Sequence, residues 1–333
     1  MFITLGIETS CDDTSLALVN QDGQVLGMVS QDQEEFHREY GGVVPEIASR
    51  IHLEVINPLF TQLLKKTGIA PEQIDLVAVT SRPGLLGSLL IGMTFAKTFS
   101  LVYKKPIVGV NHLKGHLLSP GLNGGQIEYP NASLIVSGGH TDLFKVNSSN
   151  EFEMLGATRD DAAGEVIDKL GRTLGLGFPA GMKMDKLARD GNPDSVELPR
   201  PMIKSDDLDF SFSGLKTAAV IYLRCDAGKS IRQKDFVASL EAAIVDVLIA
   251  KLKSAVKKTG VKAVNVAGGV SANSLLRNRL AEWCENENLK LSIPPIEYCM
   301  DNGAMIALAG HSAFLSGHRD DMSLDCMAVC EWE

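Results

Sequence analysis

Short apolar runs closed by small or acidic turns alternate along this chain with longer apolar stretches, and the two predict strands and helices respectively. Leu5-Gly-Ile7, the turn Glu8-Thr-Ser-Cys-Asp-Asp-Thr14 and Ser15-Leu-Ala-Leu-Val19 read as a β-hairpin. Asp75-Leu-Val-Ala-Val-Thr80 is a buried type of strand, followed by Pro83-Gly84 and Gly87, an apolar helix to about Tyr103 and the strand Ile107-Val-Gly-Val110. The order then recurs. Leu134-Ile-Val136, Ser137-Gly-Gly-His-Thr-Asp142 and Leu143-Phe-Lys-Val146 form a second hairpin; Lys262-Ala-Val-Asn-Val-Ala267 leads through Gly268-Gly269 to a helix from about Asn273 to Glu287 and the strand Leu289-Lys-Leu-Ser-Ile293. Hairpin, strand, helix, strand, occurring twice, predicts a duplicated α/β protein whose two lobes face a central cleft. The expected lobes are residues 1–111 with 301–333, and residues 112–300, the second carrying a mainly helical insertion at about 158–216.

At 333 residues, 45% hydrophobic and 22% charged, the chain has room for two cores. Its first residues run into Glu8 without a basic region or a cleavage site and read as a strand. The apolar run from Gly84 to Phe99 is broken by Lys97 and is short of the roughly 20 residues a spanning helix needs. A cytoplasmic protein with no membrane association is expected. Cys11, Cys225, Cys284, Cys299, Cys326 and Cys330 contain no CxxC pair, which suits reduced thiols. A net charge of −9 repels phosphate backbones, so a nucleic acid would need a local basic surface or partner proteins. Lys251, Lys253, Lys257 and Lys258 are one candidate stripe, the alternative being a solvated helix face.

Gly, Ser and Thr in both hairpin turns leave backbone N–H groups and hydroxyls free for an anion. His112-Leu-Lys-Gly-His116 follows a strand, and a helix starting there puts both imidazoles on one face. In the second half of the repeat the equivalent strand leads to Cys299-Met-Asp301, which relates Asp301 to the histidines and predicts a metal shared between the lobes. Two imidazoles and a carboxylate with open positions suit one divalent ion, Fe(II) or Zn(II), with substrate oxygens to fill the open places. A metalloprotease helix would read His-Glu-x-x-His; Leu113 stands where its general base would be. Gly268, Gly269 and Asn273 form a strand-to-helix turn suited to the adenosine end of a nucleotide. Asp168 and Asp185 can accept from ribose hydroxyls and Gly181 leaves room, the alternative being solvated acidic faces. Neither a Walker A loop nor G-x-G-x-x-G is present, which argues against P-loop ATPases and dehydrogenases.

Taken together, Gly6-Ile-Glu-Thr-Ser-Cys-Asp-Asp-Thr14, Gly41-Gly-Val-Val-Pro45, Asn111-His-Leu-Lys-Gly-His116, Val136-Ser-Gly-Gly-His140, Thr158-Arg-Asp-Asp-Ala-Ala-Gly164, Phe210-Ser-Phe-Ser-Gly-Leu-Lys216 and Gly268-Gly-Val-Ser-Ala-Asn273 resemble the TsaD-type tRNA threonylcarbamoyladenosine transferases over nearly the whole length. The resemblance implies the actin-like, sugar-kinase-like (ribonuclease H-like) fold and an acyltransferase. Threonylcarbamoyl-AMP would donate its acyl group to the exocyclic amine of the adenosine 3′ to the anticodon, in tRNAs reading codons that begin with A. It implies His112, His116 and Asp301 as metal ligands, and Ile135, Val136, Ser137, Gly138, Gly139, Asp168, Gly181, Asp185 and Asn273 as adenylate contacts. Glu8 and Asp12 would lie near the reacting centre. The implied partners are tRNA, a shorter non-catalytic paralogue (TsaB type) and a P-loop ATPase (TsaE type). Arg82 replaces a usual glycine, and Ala180 and Met182 replace the Gly and Pro that usually flank Gly181. The rival reading is an ATP-hydrolysing regulatory or sugar-kinase-like protein, which would need Mg²⁺ on phosphates and carboxylates and no paired histidines.

Overall fold

Strands with no polar alternation must be covered on both faces, and the run Ile3-Thr-Leu-Gly-Ile-Glu8 is buried along its entire length. This is β1, and the computed structural model, which describes residues 1–329, builds the first of two compact units around it. Along the chain this unit contributes β1 (Ile3–Glu8), β2 (Thr14–Asn20), β3 (Val25–Gln31), α1 (Glu34–His37), α2 (Pro45–Thr67), β4 (Leu76–Arg82), α3 (Leu86–Tyr103), β5 (Ile107–Asn111) and α4 (His112–Leu118). The second unit contributes β6 (Asn131–Val136), β7 (Thr141–Ser148), β8 (Glu151–Ala157), α5 (Ala163–Thr173), α6 (Gly181–Ala188), α7 (Ser213–Arg224), α8 (Asp226–Ser230), α9 (Gln233–Thr259), β9 (Ala263–Ala267), α10 (Ser274–Asn286) and β10 (Lys290–Ser292). The chain then returns to the first unit for α11 (Gly303–Leu315).

The first sheet has the order β3-β2-β1-β4-β5, with β2 antiparallel to β1 and β4 and β5 parallel to it. On one face Leu5 and Ile7 pack with Ile56, Leu59 and Leu63 of α2 and Leu89, Met93, Ala96 and Phe99 of α3. On the other, Met305, Ile306 and Ala309 of α11 meet Ala78, Val108 and Val110. Among the described residues α3 is the one helix long and apolar enough to cross a membrane by length and composition, and it packs here on β4 and α2.

The second sheet repeats the first strand for strand: β8-β7-β6-β9-β10, with β6–β7 antiparallel and β6–β9–β10 parallel. Its core joins Leu134 and Val136 to Phe236, Leu240, Ile244 and Leu248 of α9, Leu276 and Leu280 of α10, and Phe210 and Phe212 from the insertion. The insertion contains α5, α6 and α7, and a bridge between Thr158 and Phe210 draws its ends together. The third strand of each hairpin, β3 and β8, lies at a sheet edge and is partly exposed, and polar residues such as Gln31, Glu151 and Glu153 obscure its sequence pattern.

The unit boundaries fall after Ile127 and Ile293, not after residues 111 and 300. The reason is packing. Leu113, Leu117 and Leu118 of α4 are buried, Gly115 lies against Met305 and Ile306 of α11, and Tyr298 packs with Ala17 and Val19. Both segments therefore belong to the first unit.

Candidate metal centre and nucleotide-binding residues

Asn111 ends β5 and caps α4, its side-chain oxygen accepting from Leu113 N at 2.9 Å and Lys114 N at 3.4 Å. The cap fixes the first turn of α4, and the four-residue spacing puts His112 and His116 on one face with ring centroids 4.7 Å apart. Asp301 precedes Asn302, which caps α11 through Met305 N at 2.9 Å. The Asp301 Oδ1 atom is 3.0 Å from His116 Nε2 and 3.5 Å from His112 Nε2, and one ligand atom from each of the three residues lies within 4.8 Å of the others. These separations suit the edges of a coordination polyhedron with bonds of about 2.1 Å. All three residues sit in the first unit, which corrects the expectation that the metal is shared between lobes.

His112 is held by a carboxylate behind it. Its Nδ1–H donates to Glu8 Oε2 at 2.9 Å, with Ser10 Oγ at 3.2 Å, leaving Nε2 directed at Asp301. Glu8 is 1% exposed; Oε1 accepts from Ser10 N at 2.6 Å and Oε2 also accepts from Thr80 Oγ1 at 2.7 Å. Burial pushes this carboxyl up, but the adjacent His112 outweighs it and holds Glu8 below its ordinary value. Burial likewise opposes charge on His112, and Asp301 with Glu8 prevails, raising the imidazole to about 9. The His116 Nδ1 atom is buried without a hydrogen-bond partner. Two nitrogens and an oxygen converging in a buried setting, one histidine oriented by a carboxylate, fit a divalent metal. Asp12 lies on the same turn, partly exposed, beside Cys11 and Asp13. Burial lifts the Asp13 carboxyl to about 8, helped by the charges of Asp301 and Asp12.

The nucleotide candidates lie in the second unit. Ile135 and Val136 are fully buried ladder residues, so the open part of their stretch is the turn, where Ser137 N donates to His140 O at 2.8 Å and side chains added at Gly138 and Gly139 would meet nothing within 4 Å. At Gly268, with φ +92°, a Cβ would lie 2.5 Å from Val136 O, so the turn after β9 closes directly on this hairpin. Gly269 opens the short turn that ends at Asn273, whose side chain caps α10 by accepting from Leu276 N at 2.9 Å. Asp168 Oδ1 accepts from Ala180 N at 2.8 Å, and Asp185 Oδ1 accepts from Ser274 N and Oγ, both at 2.7 Å. These carboxylates tie α5 to α6 and α6 to α10. At Gly181 an added Cβ would have only Ile167 nearby, at 3.9 Å. Of the replacements beside it, Ala180 is fully buried and Met182 is 88% exposed.

The lysine stripe does not hold together. Lys251 is 1% exposed, its Nζ donating to Ser205 Oγ at 2.6 Å and Asp207 O at 2.8 Å, Lys258 donates to Asp206 O, and Lys253 stacks on Trp283. Two of the four therefore fasten α9 to residues 205–207. Five cysteines are free thiols, and Cys330 lies outside the described residues. Sequence reasoning missed Ser10, Thr80 and the cap at Asn111, because a residue that orients a ligand carries no spacing signature.

Comparison with solved structures shows the duplicated actin-like α/β fold. The chain is similar to the activator of 2-hydroxyisocaproyl-CoA dehydratase from Clostridium difficile with bound ADPNP, at 15% identity and a TM-score of 0.54, covering 95% of this chain and 97% of that one. It is also similar to full-length HypF in its phosphate- and nucleotide-bound form, at 13% identity and a TM-score of 0.60, covering 95% of this chain and 47% of that one. Among curated relatives, the tRNA N6-adenosine threonylcarbamoyltransferase of Thermosipho africanus is 44% identical over 98% of both chains. That of Bdellovibrio bacteriovorus is 46% identical over 92% of this chain and 91% of its own. The sequence model described as "TsaD: tRNA N6-adenosine threonylcarbamoyltransferase" matches residues 24–308. With a match across most of its length and relatives this similar over nearly all of it, the chain belongs to the TsaD family.

Proposed function

We propose that this chain transfers the threonylcarbamoyl group of threonylcarbamoyl-AMP to the exocyclic amine of the adenosine 3′ to the anticodon in tRNAs reading codons that begin with A. The observation that carries the reading is the near full-length similarity, at 43–46% identity, to relatives named for this transfer. The reaction forms a C–N bond to the amine, breaks the bond from acyl carbon to the AMP phosphate oxygen and releases one proton. His112, His116 and Asp301 would hold one divalent ion, Fe(II) before Zn(II), which supplies Lewis-acid polarisation of the acyl carbonyl. Glu8 keeps the proton of His112 on Nδ1 and so reserves Nε2 for the ion; its two oxygens are engaged, which makes it a positioning residue. Asp12, partly exposed on the same turn, would take the proton from the amine. Backbone N–H groups of the turn at Ser137, Gly138 and Gly139 suit the phosphate. Asp168, Gly181, Asp185, Gly268, Gly269 and Asn273 surround the nucleoside.

The same reading makes tRNA the acceptor and the shorter paralogue and the P-loop ATPase the partners, working in the cytoplasm. The test is threonylcarbamoylated adenosine per tRNA, measured by nucleoside mass spectrometry with one component omitted at a time. Modification with all components, and loss of both bound metal and product in Asp301→Ala, is the expected result. Failure to modify tRNA with every component and donor present overturns the transfer, and ATP hydrolysis at full rate by a metal-free chain would favour the ATPase reading.

A further inference from the structure

His52 lies on α2 in line with Ala48, Ile56, Leu59 and Leu63, the stripe that this helix buries, and is itself fully buried. An apolar side chain would occupy that place without losing hydration of a polar ring. The imidazole instead makes two hydrogen bonds to the turn between β1 and β2. Its Nε2 lies 2.9 Å from Cys11 O and its Nδ1 lies 2.7 Å from Thr14 Oγ1. A carbonyl oxygen only accepts, so Nε2 carries the proton, and Nδ1 of the neutral ring accepts from the Thr14 hydroxyl. Burial keeps the ring neutral, holding it below its ordinary value against the bond to Cys11 and the charges of Glu8 and Asp12.

The two bonds bracket Asp12 and Asp13. The earlier part of the turn is tied by Thr9 Oγ1 donating to Ser88 O at 3.0 Å and by Leu85 N donating to Ser10 O at 2.7 Å. Both of those ties precede Cys11, and His52 supplies one on either side of the two carboxyls. The Cys11 carbonyl and the Asp12 nitrogen belong to one planar peptide unit, so anchoring the carbonyl fixes the plane from which the Asp12 side chain starts. Glu8 is fastened separately, by Ser10 N and Thr80 Oγ1, and orients His112 without help from α2.

Resting on the reading that Asp12 takes the proton from the acceptor amine, we propose that His52 is a positioning residue for the transfer, its Nε2–H holding the Cys11 carbonyl and with it the Asp12 carboxylate. Its removal slows the chemical step and leaves donor binding and the metal ligands as they are, because a displaced base costs rate without changing what the site binds.

The experiment measures single-turnover transfer to tRNA by the reconstituted assembly over a range of threonylcarbamoyl-AMP concentrations, with metal content by elemental analysis. A glutamine amide reaches the place of Nε2, whereas an asparagine amide reaches only that of Nδ1. His52→Gln, which can still donate to Cys11 O, is expected to stay within about threefold of the parent rate at saturating donor. His52→Asn, which cannot, is expected to lose at least about tenfold, to melt only a few degrees earlier, and to keep its metal and its half-saturating donor concentration. In an Asp12→Ala background, itself slowed at least about a hundredfold, His52→Asn should slow transfer no further. Parental rate in His52→Asn, an equal loss in His52→Gln, lost metal, a loss made good by more donor, a further loss in the double variant, or an unfolded His52→Asn each overturns the inference alone. Parental rate in Asp12→Ala removes the role of Asp12, and this inference falls with it.

Discussion

Glu8 and Glu241 are both buried carboxyls, and their surroundings push them in opposite directions. Glu8 has a histidine and two further donors around it, and their attraction exceeds the cost of burial. Glu241, on α9 and 3% exposed, has one oxygen buried without a hydrogen-bond partner, and burial wins, with Asp185 pushing the same way. The sign of its effect on stability follows. With a folded value of about 7 against an ordinary 4.5, Glu241 costs nothing below about pH 4.5, where it is protonated in both states, and the stability is lost as pH rises through 7. Glu241→Gln removes the penalty. It should melt above the parent at pH 8, by an amount corresponding to on the order of 2 kcal/mol, and match it at pH 4.5. Thermal melts at the two pH values check this, and a difference independent of pH would sink it. Neither environment is visible in sequence. Glu8 stands in a turn of acidic and small residues, and Glu241 looks like one more polar position on a long helix until α9 is seen to be buried on nearly every side.

Between elements, the proposed metal centre depends on how closely α11 crosses β1. Gly6 and Gly303 meet there: a Cβ on Gly6 would lie 1.9 Å from Gly303 O, and one on Gly303 would lie 2.7 Å from Ala17 N. The contact is fastened by Gly303 N donating to Ser15 Oγ at 2.9 Å. Asp301 is two residues before Gly303, so any displacement of the helix start moves the carboxylate away from the histidines. Gly6→Ala should therefore lose most of its bound metal, measured by elemental analysis, while the far-UV circular dichroism keeps its helical content. Full metal content in a folded Gly6→Ala chain would count against this dependence. The sequence marks Gly6 as part of a recognisable motif but does not say what it touches, since the two glycines are 297 residues apart along the chain.

For the whole molecule, the charge of −9 and the proposed polyanionic acceptor pull against each other. The one lysine stripe visible in sequence is half spent on internal bonds, so the chain alone should hold tRNA weakly and rely on partners. Raising salt from about 50 to about 200 mM should then lower tRNA affinity of the reconstituted assembly at least tenfold and change AMP affinity of the chain less than about twofold. Filter binding and calorimetry measure the two, and multiple rapid turnovers by the chain alone would refute the partner dependence. The sequence by itself determined the duplicated order of elements and the pairing of His112 with His116, because both are written in local periodicity: apolar runs that must be covered, and a four-residue step that puts two side chains on one helical face. It marked the two glycine-rich turns after β6 and β9 as well, through Gly138, Gly139, Gly268 and Gly269. Only the tertiary structure decided that Asp301 shares a unit with the histidines, that Glu8 stands behind His112, that Lys251 is a buried fastening and that Glu241 is buried. Those facts depend on which surface each helix buries and on contacts between residues far apart in sequence, and local pattern carries no record of either.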